Sequence, residues 1–180
     1  MKYLLFLLIF IVLSSFLFSF FNRNSTDVSR YSEDIYDYSA KLINGKKLNF
    51  KTLKGKKIII VNVASKCGYT PQYEDLQKLY DIYNNQIEIV GFPSNDFLWQ
   101  EPGKNVDIQK FCKINYGVTF PLIEKSVVKK NKNQHSLFSW LTHKELNGWN
   151  DYSPGWNFYK YLINEKGELV NVYSSKVKPF

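Results

Sequence analysis

The sequence is poor in the residues that build covalent or metal frameworks. Its 180 residues include two cysteines, Cys67 and Cys112, and two histidines, His135 and His143. Two cysteines in a chain of this length exclude a disulfide scaffold and leave either buried hydrophobes or a working redox pair. The histidines lie far from both cysteines and no short ligand spacing occurs, so no zinc site or other resident cofactor is predicted. Acids are also scarce, 16 Asp and Glu against 24 Lys and Arg, which sets the formal net charge at +8. The lysines are scattered, apart from a cluster at Lys125, Lys129, Lys130 and Lys132 with which no aromatic residue interleaves. That pattern describes a solvated surface rather than a nucleic-acid patch. Internal repeats are absent as well.

What the chain does have is apolar and aromatic material, 44% and 17% of residues, enough for one globular domain with some extension. Met1-Lys2 opens onto Tyr3 to Phe21, an almost unbroken apolar run. It reads as a secretory signal peptide, long enough to serve as a signal anchor instead. Asn22 to Asp34 is polar and without periodicity, a linker or a second targeting segment. Entry into the secretory pathway is therefore expected, with onward routing to an organelle such as a plastid, or retention at a membrane or secretion as alternatives. The folded domain is assigned to residues 35–180.

Within it, Tyr36 to Leu42 and Leu48 to Phe50 alternate about Asn44-Gly45, an N-terminal β-hairpin. Ile58-Ile59-Ile60-Val61 reads as a buried strand. Gln72 to Tyr83 places Tyr73, Leu76, Leu79, Tyr80 and Tyr83 at helical spacing. Ile87 to Phe92 is a second buried strand, so the crossover is right-handed and the strands parallel. Val106 to Tyr116 and Gln134 to Leu146 are predicted helices, and Thr119 to Ile123 is extended. Trp156 to Ile163 and Glu168 to Tyr173 flank a hairpin turn at Asn164-Glu165-Lys166-Gly167. The class is α/β: a thioredoxin-like fold, a central mixed sheet flanked by helices. Cys67 falls on the loop between a strand's C-terminal end and a helix's N-terminus, where free backbone N–H groups and the helix dipole favour a thiolate. The loop from Pro93 to Gly103 leaves the same sheet edge and should lie beside it.

Three stretches together resemble the signatures of glutathione peroxidases: Asn62-Val63-Ala64-Ser65-Lys66-Cys67-Gly68-Tyr69-Thr70, Gly91-Phe92-Pro93-Ser94-Asn95-Asp96-Phe97-Leu98-Trp99-Gln100-Glu101-Pro102-Gly103, and Trp156-Asn157-Phe158. The resemblance implies a peroxidatic cysteine working with a glutamine, a tryptophan and an asparagine, here Cys67, Gln100, Trp156 and Asn157. Phe111 to Pro121 resembles the resolving-cysteine region of the thioredoxin-dependent members, which puts Cys112 in the resolving role. It further implies hydrogen peroxide and organic or lipid hydroperoxides as substrates, and thioredoxin, with glutathione as the alternative, as reductant. The chain lacks the insertion used by tetrameric relatives between Pro121 and Trp156, which implies a monomer.

Ser94 and Asp96 depart from the family's Cys and Gln. The bulk of Leu98 and Trp99 is expected to narrow peroxide access. Family members continue past the last strand into a helix that packs on the sheet, so the end at Phe180 is expected to leave apolar sheet surface uncovered.

The chemistry asks for these residue types. A thiol is a poor nucleophile, so the site must favour Cys67 as thiolate, with donors that carry no negative charge. Gln100, Trp156 and Asn157 offer amide and indole N–H groups that can also stabilise charge on the departing oxygen. Cys67 then becomes a sulfenic acid, and attack by Cys112 closes a disulfide that external thiols reopen. Cys112 also sits on the apolar face of its helix, so a purely structural role competes, and resolution requires that helix to open. Trp140 and Trp149 read as core. A papain-like protease built from Cys67, His135 or His143 and Asn157 is disfavoured by the exposed-loop context of His135. A thiol redox sensor or relay, passing oxidation from Cys67 to a partner protein, uses the same nucleophile, and a non-catalytic binding module needs none.

Overall fold

The computed structural model describes residues 33–179; the expected signal segment and most of the linker lie outside the described residues. A short hairpin comes first, β1 (Ser39–Lys41) against β2 (Lys47–Asn49) with Ala40 opposite Leu48, between 3-10 turns at Ile35–Asp37 and Phe50–Leu53. The core sheet then runs β3 (Lys57–Val63), α1 (Gln72–Tyr83), β4 (Ile87–Pro93), α2 (Asn105–Tyr116), α3 (Ser136–Thr142), α4 (Lys144–Asn147), β5 (Lys160–Ile163) and β6 (Leu169–Tyr173). In space its order is β4-β3-β5-β6. β3 pairs with β4 in parallel through the α1 crossover, and β5 returns antiparallel on the other side of β3. The thioredoxin-like arrangement and its N-terminal hairpin are those expected.

Alternation along β3 sorts the two layers. Ile58 and Ile60 face one core with Phe92, Phe138 and Trp140, under α3 and the hairpin. Val61 and Val63 face a second core with Tyr73 and Leu76 of α1 and Ile108 and Cys112 of α2. Both faces of a central strand are thus apolar, as burial between two helical layers demands. Gly91 in β4 is required by a close approach: an added Cβ would stand 2.6 Å from Leu122 Cδ2, on the extended segment that bridges to Gly91.

Four expectations need correction. The single helix over Gln134–Leu146 is two helices, because His143 takes an extended backbone (φ −125°, ψ 112°) between α3 and α4. The strand expected from Trp156 begins only at Lys160; Phe158 adopts φ 65°, a left-handed turn that no strand accommodates. Trp149 is not core but 48% exposed, its indole N–H donating to Leu169 O at 2.6 Å, whereas Trp140 is fully buried. The loop at 130–133 before His135 is exposed as expected, but His135 itself is half-buried: its Nδ1 accepts from Leu137 N–H at 3.1 Å and caps α3, and its ring meets Phe92 edge-on at 5.2 Å. The sheet face beyond β6 is only partly open. Val177 to Pro179 turn back over Ile59, Leu79 and Leu162, enclosing a cavity of about 230 Å³.

Candidate active site

Cys67 is held in a tight sequence of turns between β3 and α1. Its N–H donates to Thr70 Oγ1 at 2.9 Å, Thr70 Oγ1 donates to Ala64 O at 2.8 Å, and Thr70 N–H returns to Cys67 O at 3.0 Å. Those bonds tie both ends of the loop to one hydroxyl. They turn the Tyr69 N–H onto Cys67 Sγ, 3.4 Å away, within the range for a sulfur acceptor. Cys67 as a residue is buried, 8% exposed.

Two distant segments close on this loop. The Gln100 carbonyl accepts from Lys66 N–H at 2.9 Å, and Ser94 N–H donates to Val63 O at 3.0 Å, so the loop after β4 lies against the nucleophile loop as its strand direction required. Asp96 and Ser94 do structural work here. Asp96 Oδ2 accepts from Val128 N–H at 2.6 Å and Lys129 N–H at 2.9 Å, anchoring the 124–129 segment. The third segment is a left-handed turn at 156–159, and its keystone is Asn62. From β3, the fully buried Asn62 donates through Nδ2 to Trp156 O (2.9 Å) and accepts at Oδ1 from Tyr159 N–H (3.1 Å). Its carbonyl also accepts from Phe158 N–H at 2.6 Å. Sequence reading quoted Asn62 only as part of a motif; no local signal marks it, because all its partners are more than 90 residues away.

The site residues come together, but not as three donors converging on sulfur. Asn157 Nδ2 donates to Gln100 Oε1 at 2.9 Å. That bond occupies the Gln100 oxygen and leaves its amide N–H groups as the groups on offer, the polarity a thiolate or a departing oxyanion needs. Asn157 therefore orients Gln100. Its own Oδ1 is buried without a protein partner. The Trp156 ring stands 5.8 Å from Phe97 and borders, with Tyr69 and Tyr159, an open cavity of about 340 Å³ beside the nucleophile loop.

Cys112 lies on α2 with Ile108, the only two buried residues of that helix. Both cysteines are free. Burial pushes the Cys112 thiol up to about 11, and the neighbouring Glu101 adds to the rise while the Tyr73 hydroxyl opposes it. Cys112 is therefore a protonated, fully buried thiol in the same core as Cys67. α2 packs on the core through Ile108 and Cys112, with Phe111 and Tyr116 against it, while Ile114 and Val106 face outward at 68% and 67% exposed.

Among the buried charged groups that the sequence did not single out, Glu101 and Lys160 lie on segments that bond to the Cys67 or Asn157 turns. Glu101, 1% exposed, has both carboxyl oxygens without a protein partner. Burial raises it to about 7 against the opposing pull of Ser65 and Lys125; the Ser65 hydroxyl and N–H lie nearby but make no hydrogen bond of normal geometry with it. Lys160, 5% exposed, sends three N–H bonds to Gln72 Oε1 (2.6 Å), Val177 O (2.7 Å) and Phe158 O (2.9 Å). Gln72 Nε2 continues to Ser175 O at 2.6 Å, and Ser175 Oγ donates to Asn157 O. This chain of bonds ties the 174–178 segment to the Asn157 turn. His135 packs on Phe92, in the core opposite to the one that holds Cys67, which removes the protease reading. Among the described residues no group of three His, Cys, Asp or Glu side chains could hold a metal ion.

Known proteins are similar to this chain in sequence and fold. The chain is 44% identical over 147 residues to a glutathione peroxidase of Lactococcus lactis subsp. cremoris, spanning 81% of this chain and 92% of that protein. It is 42% identical over 153 residues to a hydroperoxy fatty acid reductase of Synechocystis sp., spanning 81% and 89%. The crystal structure of apo Trgpx superposes with a TM-score of 0.63 at 29% identity, over 82% of this chain and 88% of that one. With the glutathione peroxidase family model matching residues 35–142, the chain belongs to the glutathione peroxidase family.

Proposed function

We propose that this protein is a cysteine peroxidase of oxidative-stress defence that reduces hydrogen peroxide and organic hydroperoxides through Cys67. The observation that carries the reading is the backbone N–H of Tyr69 aimed at Cys67 Sγ, in a loop clasped by Gln100 on one side and the Trp156–Asn157 turn on the other. The thiolate attacks the terminal peroxide oxygen and the O–O bond breaks. The leaving alkoxide or hydroxide takes a proton, and Cys67 is left as sulfenic acid. The donors facing that oxygen stabilise its charge, a contribution of about 3 kcal/mol per donor at comparable sites. Cys112, once α2 opens, displaces water from the sulfenic sulfur and forms a disulfide, which a dithiol reductant reopens by exchange.

Thioredoxin is the proposed reductant, ahead of glutathione, because an internal disulfide is its natural substrate; the acting species is a monomer. The similarity to a fatty acid hydroperoxide reductase supports bulky organic substrates. Residues 1–21 would direct the protein into the secretory pathway, and residues 22–34 onward to an organelle such as a plastid.

Cys67→Ser is expected to abolish turnover with every peroxide. Cys112→Ser should keep a single stoichiometric burst but lose thioredoxin-supported turnover. Turnover supported far better by glutathione than by thioredoxin would overturn the reductant. The full burial of Cys112 also favours a second use of the same nucleophile. A sulfenic acid that waits for a helix to open has time to pass its oxidation to a partner protein. Specific mixed disulfides of the Cys112→Ser variant in peroxide-treated lysate would support that relay, and their absence would exclude it.

A further inference from the structure

Among the described residues, three non-glycine side chains sit on left-handed backbone: Leu98 (φ 50°), Trp99 (φ 52°) and Phe158 (φ 65°). Such conformations are costly for large side chains and persist where the surroundings impose them, commonly at functional sites. For Phe158 the return is visible, since the ring is fully buried and its N–H and carbonyl are both bonded. Leu98 and Trp99 show no such return. They are 67% and 77% exposed, so the strained backbone pushes two large apolar groups into solvent. This also corrects the expectation that their bulk narrows the site, since little of either side chain packs over anything.

Their position is specific. Gln100 follows directly and is tied to Lys66 and Asn157. Phe97 precedes them, 2% exposed, its ring tilted at 52° to that of Trp156. The tip therefore stands at the border of the nucleophile site, with rigid bonds on either side. On the segments that adjoin it exposed lysines outnumber exposed acids, Asp107 beside Lys104 being the exposed acid. Lys66, Lys104 and Lys129 are exposed, and Lys129 Nζ lies 4.5 Å over the Phe97 ring. The acids closest in sequence are turned inward: Asp96 accepts the Val128 and Lys129 amides, and Glu101 is buried. An exposed tryptophan and leucine with exposed lysines on the adjoining segments match the interface of an anionic bilayer, where indole rings settle at headgroup level and lysines meet lipid phosphates. A protein partner would instead need a pocket shaped to this tip.

We infer that the Leu98–Trp99 tip is a lipid-facing anchor, which seats the Cys67 site on an anionic membrane surface and directs it to acyl hydroperoxides held there. The inference rests on the peroxidase reading above. No reacting group lies in the tip, so loss of the tip should change where the enzyme works and not the chemistry.

The test compares the full chain with its Leu98→Asn/Trp99→Asn double variant. Asn tolerates the left-handed backbone, so the loop keeps its shape. Both proteins carry the same N-terminal segment, and the difference between them isolates the tip. With dithiothreitol as reductant, rates on hydrogen peroxide and on dilute, monomeric linoleic acid hydroperoxide are expected to stay within about twofold. The rate on phosphatidylcholine hydroperoxide in vesicles containing phosphatidylserine is expected to fall on the order of tenfold. Quenching of Trp99 fluorescence by brominated lipid should be present in the parent and lost in the variant. An equal fall on all three substrates, or an unchanged vesicle rate, would overturn the inference. So would a raised KM for thioredoxin with the vesicle rate intact, which would assign the tip to the protein reductant. A parent protein inactive on hydrogen peroxide would overturn the peroxidase reading itself, a result distinguishable from the others.

Discussion

Replacing Glu101 by Gln should make the fold more stable in alkaline buffer and leave it little changed in mild acid. Burial of a carboxyl whose two oxygens have no protein partner penalises its charged form, and raises it from 4.5 to about 7. Between those values the folded state holds a proton that the unfolded chain has released. The stability this lends is complete below 4.5 and is lost as pH rises through about 7. At about 1.4 kcal/mol per pH unit, the interval corresponds to on the order of 3 kcal/mol. Gln is neutral throughout and escapes the loss. Any cost of burying its amide is the same at every pH, so the informative quantity is the pH dependence of the difference. Urea melts at pH 5 and pH 8 should show the variant gaining roughly 2–3 kcal/mol over the parent between the two, roughly 4–12 °C in melting temperature for a domain of this size. A variant-minus-parent difference that is the same at both pH values would refute the assignment of a desolvated carboxyl at position 101.

The Asn62 keystone and the Lys160 tie give two more. Asn62→Ala removes the side chain that holds the Trp156 carbonyl and the Tyr159 N–H. It should cost about 1–3 kcal/mol of stability and slow the reaction of Cys67 with peroxide on the order of tenfold or more, because the turn carrying Trp156 and Asn157 loses its register; stopped-flow rates on still-folded protein at parental values would sink that role. Lys160→Met strands three acceptors at once, so about 3 kcal/mol is expected to be lost, with trypsin cutting faster after Lys176. Burial lowers Lys160 from 10.5 to about 8 with Asp75 opposing. The unfolded chain therefore binds more protons between these values, and parental stability should rise with pH over that window. A Met variant that shows the same rise would assign it elsewhere.

Sequence reading was most accurate where one element's own periodicity decides the outcome. Gln72 to Tyr83 is a helix over those residues, and Ile58 to Val61 and Ile87 to Phe92 lie inside parallel neighbours in the sheet. Direction alone then placed the loop after Pro93 beside Cys67. It was weakest where the outcome depends on what arrives from elsewhere. The apolar spacing of Gln134 to Leu146 is that of a helix, yet His143 breaks it. Tryptophan content says nothing of which ring faces water, hence Trp149.

Residue pattern by itself determined the α/β class, the place of Cys67 on the loop between β3 and α1 and the segments that approach it, because chain direction and periodicities of 2 and 3.6 are written locally. Tertiary structure alone decided how the side chains there are used. It set Asn157 to orient Gln100, Asn62 to hold a turn some 95 residues away, a carboxyl at 101 to lie dry, and Leu98 and Trp99 to stand in water. The reason is physical: whether a polar group is paired or stranded in a low-dielectric interior depends on partners brought together only by folding.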